Sequence, residues 1–154
     1  MSQPLTPPRT TRHLDMLRGL PTGETPPPAI AKLIGISTNH VELGRSILEL
    51  DASERHANPM GTLHGGVICD IADLAMGTAF ATTLEDDESF TTLDLTAKYV
   101  KPIWNARLRA TAQVVKRTRT LGLIECEITD EGGNLVAKVY SSCMVLRGQE
   151  ARGR

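Results

Sequence analysis

The run HANPMGTLHGGVICDIAD, His56 to Asp73, gathers a loop asparagine and proline, a histidine, two adjacent glycines and two aspartates. Gly65 and Gly66 stand where an apolar helix begins, and glycine lets a ligand approach the backbone N–H groups that a helix start leaves unpaired. The positive end of the helix dipole adds up to about 2 kcal/mol in favourable sites, so such an opening can hold a developing negative oxygen. The same glycines also suit a tight entry from loop to helix. Asp70 and Asp73 are three apart and share one flank of that helix. Asp70 lies in the first turn, where a carboxylate meets the dipole and free N–H groups, and reads as architectural. Asp73 lies a turn deeper, where burial of an unpaired charge costs several kcal/mol unless a pocket supplies partners or its pKa rises. A pocket-facing carboxylate beside an oxyanion hole attacks an acyl carbon or draws a proton from water, which is acyl-transfer chemistry. His64 either assists at a substrate carbonyl or fixes the loop before the helix, and its position alone leaves both open.

The remaining reactive side chains keep less telling company. Cys69, on the buried helix, reads as a small hydrophobe, and His13, His40 and His56 show no motif spacing. Cys69, Cys126 and Cys143 cannot all pair and form no CxxC or Cys/His ligand set, so reduced thiols in the cytoplasm and no metal are expected. The start, MSQPLTPPRT, lacks the apolar core of a signal peptide, and the apolar stretch Val67 to Leu84 is interrupted by Asp70 and Asp73, so no membrane association is expected. Lys98, Lys101, Lys116, Arg117 and Arg119 could hold phosphates or simply be solvated. With 17 basic against 18 acidic residues, a net charge of −1, nothing favours a polyanionic partner, and five aromatic residues are too few for stacking on single-stranded nucleic acid.

The elements that must position these groups follow from patterning. At 154 residues the chain fits one domain with a real core. Seven of nine prolines fall in residues 1–30, which reads as an arm, with a short helix possible over Thr10 to Gly19. AIAKLIG predicts a brief helix and NHVELGRSILELD a strand pair with a tight turn at Gly44. Gly66 to Leu84 is apolar on nearly every face, as a helix surrounded by protein must be. Beyond it the period falls to two: Leu93, Leu95, Ala97 and Tyr99 predict a half-buried strand, and Ala106 to Val114, Ile124 to Ile128 and Leu135 to Leu146 predict three more, joined by turns such as DEGGN. An antiparallel meander curved around one buried helix is the economical solution, an α+β fold. One sheet leaves an open edge, so a symmetric dimer is expected. The domain boundaries read as arm 1–30, folded domain 31–147 and disordered tail 148–154.

The segment Asn58 to Asp73, with LDLTAKYVKP (Leu93 to Pro102) and the stretch RTxxLGLIECEITDEGGNLVA from Arg117, resembles the PaaI-type hotdog-fold acyl-CoA thioesterases, over about residues 35–146. The resemblance implies a hotdog fold, a dimer as active unit that pairs into a homotetramer, and a site at the dimer interface. It implies that Asp73 is the catalytic carboxylate, nucleophile or general base, and that the Gly65 N–H polarises the thioester carbonyl, with Gly66 beside it. It further implies that Asn58 orients water or the carboxylate, and that His64 assists at the carbonyl, both facing Asp73 of another subunit. Leu74, Met76 and Phe80 are expected to line the acyl pocket, and Lys101, Arg117 and Arg119 to hold the CoA nucleotide. CoA is then part of the substrate and no cofactor is needed. The chain has Gly77 where certain relatives place a threonine, and its acidic position is Asp where others have Glu. Competing readings are a hotdog dehydratase or hydratase, whose proline-rich histidine loop is missing, and a non-catalytic acyl-CoA binding protein.

Overall fold

The computed structural model describes residues 10–153. The beginning of the arm, residues 1–9, lies outside them. Thr11 opens α1, Arg12–Arg18, by accepting the Leu14 N–H on its side-chain oxygen at 3.2 Å. Leu14 is fully buried, so this part of the arm docks on the body. α2, Ala29–Ile34, stops at Gly35, whose φ of 92° only glycine adopts readily. β1, Ile36–Glu42, and β2, Arg45–Ala52, then form the expected hairpin.

α3, Gly65–Ala81, has 17 residues, about 26 Å of helix. Its Ile68, Ile71, Ala72, Ala75, Met76, Ala79 and Phe80 recur at helical spacing and are all buried against the sheet. The alanines let the helix settle low. Buried Ser46 on β2 satisfies its hydroxyl by donating to the Ala75 carbonyl at 2.7 Å.

The six strands form one antiparallel sheet in the order β1-β2-β4-β5-β6-β3. The expected meander holds for β4, Ala106–Arg117, β5, Leu121–Thr129, and β6, Leu135–Arg147. β3, Glu88–Tyr99, departs from it: α3 carries the chain under the sheet to the far edge, and β3 pairs with β6 there. The chain therefore has the curved sheet and single long helix of the hotdog fold. On this edge strand Phe90, Leu95 and Ala97 pack on the core, while Leu93 and Tyr99 stay 52% and 53% exposed. A bulge between Thr92 and Asp94 turns Leu93 outward. The predicted disordered tail is ordered over Gly148–Ala151, a 3₁₀ turn against β3 and β6.

Candidate active site

Residues 57–63 deliver the chain to α3. The Asn58 Oδ1 accepts the Met60 and Thr62 N–H groups at 2.9 and 3.2 Å, and its Nδ2 donates to Thr62 Oγ1 at 2.8 Å. The Leu63 N–H is pinned to the Ile103 carbonyl at 2.6 Å. The Asn58 oxygen, the group that would hold a water, is thus committed to shaping its own loop. His64 is the N-cap of α3, and its Nδ1 accepts the Gly66 N–H at 2.9 Å. That contact requires an unprotonated Nδ1, so the neutral ring carries its proton on exposed Nε2. His64 therefore fixes the loop through one nitrogen and presents a donor on the other.

The cap takes up the Gly66 N–H, and the Val67 N–H bonds to the His64 carbonyl at 3.0 Å. Of the three leading amides, that of Gly65 has no partner among the described residues. A side chain at either glycine would press on a neighbour. A Cβ on Gly65 would stand 3.1 Å from the Tyr99 ring and hydroxyl, and one on Gly66 would stand 2.9 Å from His64 Nδ1. Tyr99 donates to the Gly65 carbonyl at 3.1 Å and lies 3.1 Å from Cys69 Sγ. The neighbouring thiol, and then partial burial, push its phenol up to about 12.

Asp70 and Asp73 both emerge on the exposed side of α3. Thr92 on β3 donates its hydroxyl to Asp73 Oδ1 at 3.2 Å. Desolvation first, then the Asp73 charge, raise the Asp70 carboxyl above its ordinary value. The seam between α3 and β3 opens into three clefts. Gly65, Ile68, Tyr99 and Lys101 border the first, about 410 Å³. Cys69, Asp70, Asp73 and Thr92 border the second. Asp73 and Thr92 also bound a mainly apolar third, about 280 Å³, with Leu74, Gly77 and Phe90. Tyr99 and Thr92 are the site residues that the sequence reading missed. Strand alternation placed both on β3, yet nothing in their spacing tied them to the helix.

Other expected site residues fall elsewhere. Leu74 borders the apolar cleft, but Met76 and Phe80 are fully buried on the sheet side and line none of these spaces. Lys101 is ion-paired with Asp130 across the surface. Arg117 donates to Glu88 at 2.8 Å and lies over the Phe80 ring at 5.5 Å, part of a clamp in which Arg147 holds the other Glu88 oxygen. Glu88 is 6% exposed. Burial works to raise its carboxyl, but the Glu85 N–H and the two guanidiniums outweigh that and hold it below its ordinary 4.5. Of the three cations expected to grip CoA, only the Arg119 side chain is exposed and unpaired among the described residues. Among those residues no group of three or more His, Cys, Asp and Glu side chains could hold a metal ion, and no helix is long and apolar enough to cross a membrane.

Residues 60–137, about half the chain, match the family model described as Thioesterase superfamily. The chain is 30% identical over 116 residues to the 1,4-dihydroxy-2-naphthoyl-CoA hydrolase of Listeria monocytogenes, covering 75% of this chain and 93% of that protein. It is 30% identical over 97 residues to human acyl-coenzyme A thioesterase 13, covering 62% and 69% respectively. Among solved structures, a phenylacetic acid degradation-related protein from Ralstonia eutropha superposes with a TM-score of 0.76 at 28% identity, covering 84% of this chain and 98% of that one.

Proposed function

The chain belongs to the thioesterase superfamily, and from that premise we propose that it hydrolyses acyl-CoA thioesters at the α3–β3 seam, between two copies of itself. The observation that carries this reading is the placement of Asp73: an exposed carboxylate, steadied by the Thr92 hydroxyl, at the mouth of an apolar cavity. The free Gly65 N–H opens onto the same seam. Eight residues of helix, about 12 Å of rise, separate Asp73 from Gly65 in one chain. That is too far for both to act on one thioester carbon, so the acid and the donor meet only when a second copy brings its Asp73 to the first copy's helix start.

The open β3 edge, with Leu93 and Tyr99 exposed, supports such pairing. Leu121, Leu123, Tyr140 and Met144, exposed on the outer sheet face, give two dimers an apolar surface to share as a tetramer. In the reaction the Gly65 N–H, assisted by His64 Nε2–H, receives the carbonyl oxygen as it gains charge. The Asp73 carboxylate either takes a proton from water, whose oxygen attacks the acyl carbon, or attacks that carbon itself to give an anhydride that water then cleaves. In both cases the C–S bond breaks and CoA leaves as the thiol after taking up a proton. The cytoplasm suits such a reaction, since it supplies acyl-CoA.

Thiol release from a panel of acyl-CoAs, followed for the wild type and Asp73→Asn, tests the proposal. A fall in kcat of about 10³-fold in the variant is expected, the middle of the range for a lost general base. Hydrolysis undiminished in Asp73→Asn would remove Asp73 from the mechanism, and binding without thiol release from any acyl-CoA would make the chain a binding protein.

A further inference from the structure

The apolar cavity at Asp73 has one wall from outside the residues 60–137 that match the family model. Leu17 of α1 faces Leu74, Gly77 and Phe90 across the space of about 280 Å³, with Asp73 and Thr92 on its polar side. α1 is held in place from both ends. Its Arg12 N–H donates to Asp86 Oδ1 at 2.8 Å on the turn after α3. At the other end the Thr25 hydroxyl donates to the Met16 carbonyl at 2.6 Å, and the Thr25 N–H to the Gly19 carbonyl at 3.0 Å. Leu14 and Leu17 are three apart on one face of α1. Leu14 is sunk in the body, which leaves Leu17 half-buried at the cavity. Opposite it, Gly77 adds no side chain, and a Cβ there would already meet the Phe90 ring at 3.4 Å.

Resting on the thioester-hydrolase reading, we propose that Leu17 is a specificity-determining residue, the end wall that restricts the acyl pocket to compact apolar acyl groups of about one ring. An apolar cavity of about 150 Å³ is enough to take benzene, so a space of about 280 Å³ that must also seat the linker and the thioester carbonyl beside Asp73 brings a fused second ring against Leu17. The wall is tied to the α3–β3 turn through Asp86 and is therefore a fixed part of the pocket, not a free arm.

The test compares kcat/KM for acetyl-, butanoyl-, benzoyl-, phenylacetyl- and naphthoyl-CoA in the wild type, Leu17→Ala and Leu17→Trp, with thermal melting to confirm that each variant folds. The naphthoyl to benzoyl ratio rises about tenfold in Leu17→Ala and falls about tenfold in Leu17→Trp, the scale at which a few methyl or methylene contacts discriminate substrates. A ratio unchanged in either folded variant overturns the proposal. If the wild type hydrolyses none of the series, the hydrolase reading fails separately. Calorimetric binding of the same acyl-CoAs then decides the role of Leu17: a size preference that shifts between variants supports the wall, and an unshifted one overturns it.

Discussion

The two faces of α3 divide the work of the molecule. The sheet side carries alanines, isoleucines, Met76 and Phe80, all buried, and it meets a strand position with no side chain: a Cβ on Gly122 would lie 2.1 Å from the Phe80 ring. The seam side carries Asp70, Asp73, the Gly65 N–H and Gly77, and it opens into clefts. The first face is closed and close-packed, so changes there register as stability. The second is open and polar, so changes there register as rate. One helix thus supplies rigidity on one side and reactive groups on the other, which holds those groups on a fixed scaffold.

Substitutions on the two faces sharpen this contrast. The largest effect is expected from Gly65→Pro. Proline at the first helical position suits the extended His64 before it but removes the Gly65 N–H and sets a Cβ against the Tyr99 ring, so kcat falls about 10²–10³-fold, and a melting temperature that falls only modestly as Tyr99 yields marks the loss as one of rate. Gly122→Ala does the reverse: forcing a methyl group against Phe80 costs about 2–3 kcal/mol of unfolding free energy by denaturant titration, with kcat nearly retained by the folded fraction.

Glu88→Gln breaks the clamp that joins the start of β3 to β4 and β6, at a cost of about 2 kcal/mol at neutral pH. Because the folded-state carboxyl is held below its ordinary 4.5, that contribution is complete above about 4.5 and is lost as pH falls through the lower folded value. Stability curves of wild type and variant therefore converge in acid, and a constant gap down to pH 2 would contradict the assignment. The smallest effect belongs to Tyr99→Phe. Losing one neutral hydrogen bond to the Gly65 carbonyl lowers kcat about threefold to tenfold, and a melting temperature that fell in proportion would move Tyr99 to the stability side.

Much of this was legible in the sequence. The buried helix, the hairpin at Gly44 and the β4 to β6 run followed from period and turn chemistry. The place of β3 did not, because alternation tells which residues share a face but not which neighbour a strand will choose. Met76 and Phe80 were misplaced for a related reason. In a helix apolar nearly all round, two aspartates alone mark the outward face. That face follows the i+4 rows from Asp70 to Leu74 and from Asp73 to Gly77 and Ala81, with Asp73 toward its edge. Steps of three and seven from Asp73 reach Met76 and Phe80, on the sheet side. The cations were misread because a sequence lists charges without their partners: Lys101 finds Asp130, and Arg117 finds Glu88 across 29 residues.

In the proposed reaction Asp73 of one copy acts at the helix start of another. Co-expression of Asp73→Asn and Gly65→Pro chains carrying different affinity tags, with purification of the mixed species, isolates that step. Each variant alone retains only background thioesterase activity, while the mixed dimer holds one site with both an intact Asp73 and an intact Gly65 and recovers about half the wild-type rate. Mixed species as inactive as their parents would contradict the shared site.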